Sequence, residues 1–154
     1  MKVVILCGGK GTRLREETEF RPKPMVKIGG KPILWHIMKT YSHFGYNEFV
    51  LCLGYQGNAI KEYFYHYMLH NSDITVKLGK DQQVTMHDTS VEDNWTVTIV
   101  DTGEEHLKGA RVKKIERYIK DDTFMVTYGD GIGNVNIKDL VEFHQSNGKI
   151  ATVD

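Results

Sequence analysis

Val3-Val4-Ile5-Leu6-Cys7-Gly8-Gly9-Lys10-Gly11-Thr12-Arg13-Leu14 joins a short apolar run to a turn crowded with glycine. Val3 to Leu6 has the composition of a parallel strand buried on both faces. Gly8, Gly9 and Gly11 carry no Cβ, so backbone amides there can approach a ligand closely, and successive amides in such a turn form a concave anion site. Thr12 adds a hydroxyl donor, and Arg13 offers a planar fork matched to phosphate oxygens. Two common phosphate motifs are excluded. No window fits G-x-x-x-x-G-K-S/T, and a G-x-G-x-x-G pattern starting at Gly9 meets Leu14 where its third glycine belongs. The plain alternative is a tight turn without a ligand.

A second basic motif follows at Arg21-Pro22-Lys23-Pro24-Met25. Each proline fixes its own φ and restricts the residue before it, so Lys23 is held on a stiff backbone and can face a phosphate with little entropy to lose. Gly8 to Pro24 otherwise reads as one long loop, and loops of that length are usually functional or disordered.

Outward from this region, strands and helices alternate. Pro32 opens a helix carrying Ile33, Leu34, Ile37, Met38 and Tyr41, which Gly45 can close. Phe49–Leu53 is a second buried strand ending at Gly54. Ile60, Phe64, Tyr67 and Met68 mark a second helix. Ile74–Leu78 and Val84–Met86 are expected as paired short strands, and Thr96–Val100 as a β-branched strand. Val112, Ile115 and Ile119 suggest a helix around 110–119, with a strand in its first part as the alternative. Phe124–Tyr128 is a strand ending at Gly129-Asp130-Gly131. Asn136 is expected to cap a helix carrying Ile137, Leu140, Val141 and His144, with Gly148 at its end. Ile150–Val153 is expected to begin a further strand, so the natural protein is expected to continue past Asp154. The alternation implies an α/β fold with βαβ units and a mostly parallel sheet. Ligands then sit beyond the carboxyl ends of the strands, at Gly8–Arg13, Gly54–Gly57 and Gly129–Gly131.

The chain of 154 residues suits one domain, and 40% hydrophobic with 26% charged residues is an ordinary globular balance. Twenty basic residues offset twenty acidic ones. That balance points away from nucleic-acid or membrane surfaces, so any phosphate site rests on local placement of cations. The N-terminal apolar run is too short for a signal peptide, and no stretch approaches the roughly 20 apolar residues of a membrane span, which makes the cytoplasm the expected location. Cys7 and Cys52 lie in apolar runs and read as core residues.

Gly8-Gly9-Lys10-Gly11-Thr12-Arg13-Leu14 followed by Pro22-Lys23-Pro24-Met25 resembles the signature of sugar-1-phosphate nucleotidyltransferases. Gly29-Gly30-Lys31-Pro32-Ile33-Leu34-Trp35-His36-Ile37-Met38, Val100-Asp101-Thr102-Gly103, Gly109-Ala110-Arg111 and Tyr128-Gly129-Asp130-Gly131 are similar to the branch that uses CTP and glucose 1-phosphate. The resemblance implies a Rossmann-like three-layer sandwich of the nucleotide-diphospho-sugar transferase type, truncated at its C-terminus. It implies transfer of a nucleotidyl group to a sugar 1-phosphate, with Mg²⁺ as cofactor. By the same resemblance Gly8, Gly9 and Gly11 lend amides to the triphosphate, Arg13 holds the β- and γ-phosphates, and Lys23 neutralises charge at the α-phosphate or the incoming sugar phosphate. Leu6, Cys7, Lys10, Thr12, Arg111, Tyr128 and Gly129 complete the nucleotide-binding set, and Asp130 holds the metal. From their residue types alone, Asp130 could equally be a turn aspartate and Arg111 a solvated helix arginine. The family takes a second metal-binding aspartate and most sugar contacts from a C-terminal half, which these residues do not include. Thymidylyl, uridylyl or guanylyl transfer stays open, as does a binding module that has lost the chemistry.

Other constellations carry less. His66 and His70 stand four apart on a helix without a third ligand. Tyr63, Phe64, Tyr65 and Tyr67 at helical spacing read as core or as an oligomer surface, and a homo-oligomer is expected. Asp88 and Asp121-Asp122 read as turn and loop residues, and no serine lies in a G-x-S-x-G context.

Overall fold

A computed structural model describes residues 1–9, 21–89, 94–120 and 123–154. In chain order they form β1 (Val3–Cys7), a 3-10 turn (Lys23–Met25), β2 (Lys27–Ile28), β3 (Lys31–Pro32), α1 (Ile33–His43), β4 (Glu48–Leu53), α2 (Gly57–Tyr65) and α3 (Tyr67–His70). There follow β5 (Ser72–Lys77), β6 (Gln83–Thr89), β7 (Thr96–Asp101), α4 (Lys108–Lys114), α5 (Glu116–Ile119), β8 (Met125–Tyr128) and α6 (Ile137–Asn147).

Four strands make the central sheet in the order β7-β4-β1-β8, every neighbouring pair parallel. Successive side chains of a strand point to opposite faces, and the core divides accordingly. Val3, Ile5 and Cys7 join Phe49, Leu51 and Leu53 on one face, against Leu34, Ile37 and Met38 of α1 and Ile60 of α2. Val4, Val50 and Cys52 form the other face, against Ile115 and Ile119. Helices thus cover both faces of a parallel sheet, the three-layer α/β arrangement that such a sheet requires. Each fully buried Val, Leu or Ile here contributes about 1.5–3 kcal/mol, so the apolar run at Val3–Cys7 is the natural centre of the sheet.

Local chemistry sets the helix ends. Pro32, at φ −60°, supplies the extended entry to α1, and Gly45 at φ +87° turns the chain beyond it. The Asn136 side chain accepts hydrogen bonds from the Lys138 and Asp139 amides, and Gly148 caps α6 at φ +57°. Gly29 and Gly30, at φ +57° and +86°, form the two-residue turn between β2 and β3, where only positive φ fits the twist of the strands.

Three expectations are corrected. The single helix expected from Ile60 to Met68 is two, α2 and α3, broken at His66. The break brings Tyr67 against Trp35 and Trp95, with the Trp35 indole N–H donating to the Tyr67 hydroxyl at 2.8 Å. The helix expected around 110–119 is likewise two short pieces, α4 and α5, meeting at buried Ile115; no strand forms there. Residues 150–153 form no strand. A β-branched run becomes a strand only by pairing, and here the Thr152 hydroxyl instead meets His144 Nδ1 on α6 at 2.9 Å. Among the described residues no helix is long and apolar enough to cross a membrane.

The chain visits β1, β4 and β7 in turn, then crosses back to place β8 on the far side of β1. The strand order therefore reverses at β1, and the crevice at the carboxyl ends of β1 and β8 is where open α/β sheets bind ligands.

The two buried thiols give the fold a pH signature. Burial pushes Cys52 up to about 11, partly offset by the Arg111 charge, and burial with neighbouring Cys52 raises Cys7 further. A thiol whose folded pKa is raised stabilises the fold fully below the unfolded pKa of about 8.5 and loses that contribution as pH climbs towards the folded value. Urea denaturation should show stability falling between pH 9 and 11. The fall should be smaller in Cys52→Ala, by up to about 1.4 kcal/mol for each pH unit crossed; an identical slope in the variant would refute the assignment.

Candidate functional site

Three strands end side by side at glycine or threonine. β1 leads into Gly8, β4 into Gly54 and β7, through Asp101, into Thr102. Arg111, projecting from α4, ties them together and is only 5% exposed. Its Nη1 donates to the Leu53 carbonyl and to Thr102 Oγ1, both at 2.9 Å. Its Nη2 donates to the carbonyls of Gly8 at 3.1 Å and Glu104 at 3.0 Å, and its Nε to the His106 carbonyl at 2.9 Å. All five N–H donors of the guanidinium are thus engaged. Every acceptor is neutral, and no described carboxylate is paired with it. The alternative of a solvated helix arginine is excluded by this burial.

The same guanidinium explains two glycines. A Cβ at Gly8 would fall 2.0 Å from Arg111 Nη1, and one at Gly54 would fall 2.6 Å from Nη1 and 2.8 Å from the Gly8 Cα. Among the described residues, nothing lies within 4 Å on the Cβ side of Gly9. Thr102 completes the lock by donating its hydroxyl to the Leu53 carbonyl at 2.5 Å.

On the far side of β1, the Gly129 amide donates to the Leu6 carbonyl at 3.0 Å. A Cβ at Gly129 would lie 2.9 Å from Cys7 Sγ and 3.1 Å from the Pro24 ring. The absence of that Cβ lets the Pro22-Lys23-Pro24 segment close over the ends of β1 and β8. Pro22 and Met25 bracket the 3-10 turn, with the Met25 amide donating to the Pro22 carbonyl at 2.8 Å. The turn aims Lys23 at Asp130, with Nζ 3.4 Å from Oδ2. Lys23 and Asp130 side chains are 23% and 44% exposed, and pairs of that kind contribute at most about 1 kcal/mol. Each partner can therefore exchange the other for a stronger ligand of opposite charge. Asp130 is an accessible carboxylate between Gly129 and Gly131, and among the described residues nothing lies within 4 Å on the Cβ side of Gly131. Such a donor set fits Mg²⁺, which takes one or two carboxylates and draws its remaining ligands from phosphates and water.

Of the residues singled out in the sequence, Leu6, Cys7, Gly8, Gly9, Lys23, Gly129 and Asp130 gather at the carboxyl ends of β1 and β8, with Arg111 behind Gly8. Lys10, Gly11, Thr12 and Arg13 lie outside the described residues. The Tyr128 hydroxyl accepts from Lys108 Nζ at 2.8 Å, which gives Lys108 a place that sequence reasoning left unassigned. Buried Cys7 keeps its proton and brings no charge to the site floor. Sequence reasoning missed the role of Thr102; a threonine directly after a strand and before Gly103 was its sole local signal.

A nucleotidyl transferase family model matches residues 2–154. Glucose-1-phosphate cytidylyltransferase of Salmonella typhimurium is 53% identical over 154 residues, covering 99% of this chain and 59% of that protein. A probable glucose-1-phosphate cytidylyltransferase of Bacillus subtilis is 48% identical with the same two coverages. Among solved structures, HddC from Yersinia pseudotuberculosis complexed with GMP-PN superposes with a TM-score of 0.67 at 27% identity, over 93% of this chain and 53% of that one. The chain thus spans 59% of the length of the two sequence relatives.

Crowding at Gly54 can be tested directly. Gly54→Ala should destabilise the fold by about 1–3 kcal/mol, as overpacking against fixed backbone does. Gly131→Ala should stay within about 0.5 kcal/mol of the parent. Urea denaturation of the two variants side by side checks the contrast.

Proposed function

The chain belongs to the nucleotidyl transferase family, and from that premise we propose that the protein transfers a cytidylyl group from CTP to α-D-glucose 1-phosphate, giving CDP-glucose and pyrophosphate. The observation that carries the choice of substrates is the 53% identity, across 99% of this chain, to a glucose-1-phosphate cytidylyltransferase. The reading is supported by the meeting of Gly8, Gly9, Lys23 and the Asp130 carboxylate where the strand order reverses.

An oxygen of the sugar phosphate attacks the α-phosphorus of CTP in line. One P–O bond forms there while the bond from the α-phosphorus to the bridging oxygen breaks, and pyrophosphate leaves. A phosphate monoester has its second pKa near 6, so at neutral pH the nucleophile is already ionised and needs no general base. Catalysis then consists of positioning and of stabilising charge on phosphoryl oxygens. Gly8 and Gly9 provide backbone donors to the triphosphate. Lys23, released from Asp130, turns its ammonium to the α-phosphate or the incoming sugar phosphate. Arg13 is assigned to the β- and γ-phosphates by family resemblance. Asp130 would hold Mg²⁺, which supplies charge neutralisation at the triphosphate. By family resemblance, backbone groups near Leu6–Gly8 are candidates for the cytosine edge, apart from the Leu6 and Gly8 carbonyls, which Gly129 and Arg111 already engage.

In the full-length protein with glucose 1-phosphate and Mg²⁺, pyrophosphate release should be fastest with CTP among the common triphosphates. Equal turnover with dTTP would overturn the base assignment and leave the reaction class standing. Arg13→Ala, Lys23→Ala and Asp130→Asn should each lower kcat/KM by about a hundredfold or more, the scale for losing a preorganised charged contact. A near-normal rate would remove that residue from the mechanism.

A further inference from the structure

Resting on the nucleotidyl-transfer reading above, we propose that Lys108 is a second phosphate-facing cation of the site: seated on Tyr128, its ammonium meets a phosphoryl oxygen of the reacting substrates from the layer opposite Lys23.

Tyr128 ends β8, two residues before Asp130. Its Cα pairs with that of Leu6, and Leu6 packs against the cluster of Val4, Ile115 and Ile119. The phenol therefore leaves the sheet on the face that carries α4 and α5. The next residue points the other way. A side chain at Gly129 would meet Cys7 Sγ and the Pro24 ring, and Cys7 and Met25 belong to the face covered by α1. Lys23 reaches Asp130 from that second face, and Tyr128 opens onto the first.

Lys108, the first residue of α4, occupies the place beside Tyr128. Its Nζ donates to the Tyr128 hydroxyl at 2.8 Å and lies 4.7 Å from the ring centroid. A lysine is ordinarily a hydrated point charge on a flexible stem; here a hydrogen bond and a cation–π contact set its head in one place. Both contacts are with a neutral group. Lys23, Lys113 and Lys138 are paired with Asp130, Glu116 and Glu142, whereas among the described residues no carboxylate is paired with Lys108. Its charge is uncompensated, and an ammonium has further N–H donors beyond the one given to the hydroxyl. Tyr128 is half exposed, so the seat is open to a ligand. The proposed reaction calls for such a charge. A phosphate monoester carries about −1.5 to −2 at neutral pH, and in-line attack brings it against a triphosphate. A cation on the layer opposite Lys23 offsets that repulsion from the other side.

Full-length Lys108→Met, which keeps an apolar stem and loses the charge, is compared with the parent protein. Calorimetric titrations with CTP, with cytidine and with glucose 1-phosphate separate the partners. At least one phosphorylated ligand should bind the variant about tenfold more weakly, the scale of a hydrogen bond to a charged group, while cytidine binds both proteins alike. Loss with CTP alone assigns the lysine to the nucleotide's phosphates; loss with glucose 1-phosphate alone assigns it to the sugar phosphate. Affinity for the weakened ligand should also depend less steeply on salt in the variant, because one screened charge is gone. Lys108→Arg should recover most of the affinity. An equal loss with cytidine, or unchanged affinity for both phosphorylated ligands in folded Lys108→Met, would overturn the proposal and leave the nucleotidyl-transfer reading intact. A parent protein that binds neither CTP nor glucose 1-phosphate would bring down both.

Discussion

Removing a guanidinium from water costs several kcal/mol unless its donors are met by well-placed acceptors. At Arg111 they are met by four backbone carbonyls and the Thr102 hydroxyl, and much of the molecule is arranged around that requirement. Two strands and the segment after a third must end at the same level for their carbonyls to reach one planar group. Two of those ends must be glycine, because the guanidinium fills the space where a Cβ would sit. The arrangement ties the ends of β1 and β4 to the Thr102–His106 segment as one unit.

The opposite flank of β1 is built on a weaker interaction. Lys23 and Asp130 approach to 3.4 Å while partly exposed, so little holds them to one another. What holds them in place is backbone: Pro22 and Pro24 around the lysine, and Gly129, hydrogen-bonded to the Leu6 carbonyl, before the aspartate. Rigid supports with exchangeable side chains suit a site in which charged ligands come and go. A buried Arg111 clasp thus stands on one flank of β1 and a partly exposed Lys23–Asp130 pair on the other.

The four parallel strands carry both flanks because the apolar run at Val3–Cys7 is buried on each face, by α1 and α2 on one side and by Ile115 and Ile119 on the other. That burial fixes β1 as the central reference. The reversal of strand order beside it then opens the crevice at its carboxyl end, and Gly8, Gly9 and the Pro22-Lys23-Pro24 segment lie on its rim.

The sequence by itself determined the elements whose causes are local. The apolar run before Gly8, the Pro32 entry and Gly45 exit of α1, and the Asn136 and Gly148 caps of α6 each depend on a few adjacent residues, and each is found where its residues put it. The pairing of the glycine turn with Pro22-Lys23-Pro24 was legible for the same reason, and it carried the family. Tertiary structure alone decided the rest. Periodicity reports that a residue is buried and says nothing of what it is buried against, so the breaks at His66 and Ile115 and the unpaired 150–153 segment were invisible to it. Arg111 reaches Gly8 across 103 positions and Leu53 across 58, and Lys23 finds Asp130 across 107. Contacts at such separations exist only once the sheet has set its strand order, because that order, and no local preference, brings those ends of the chain together.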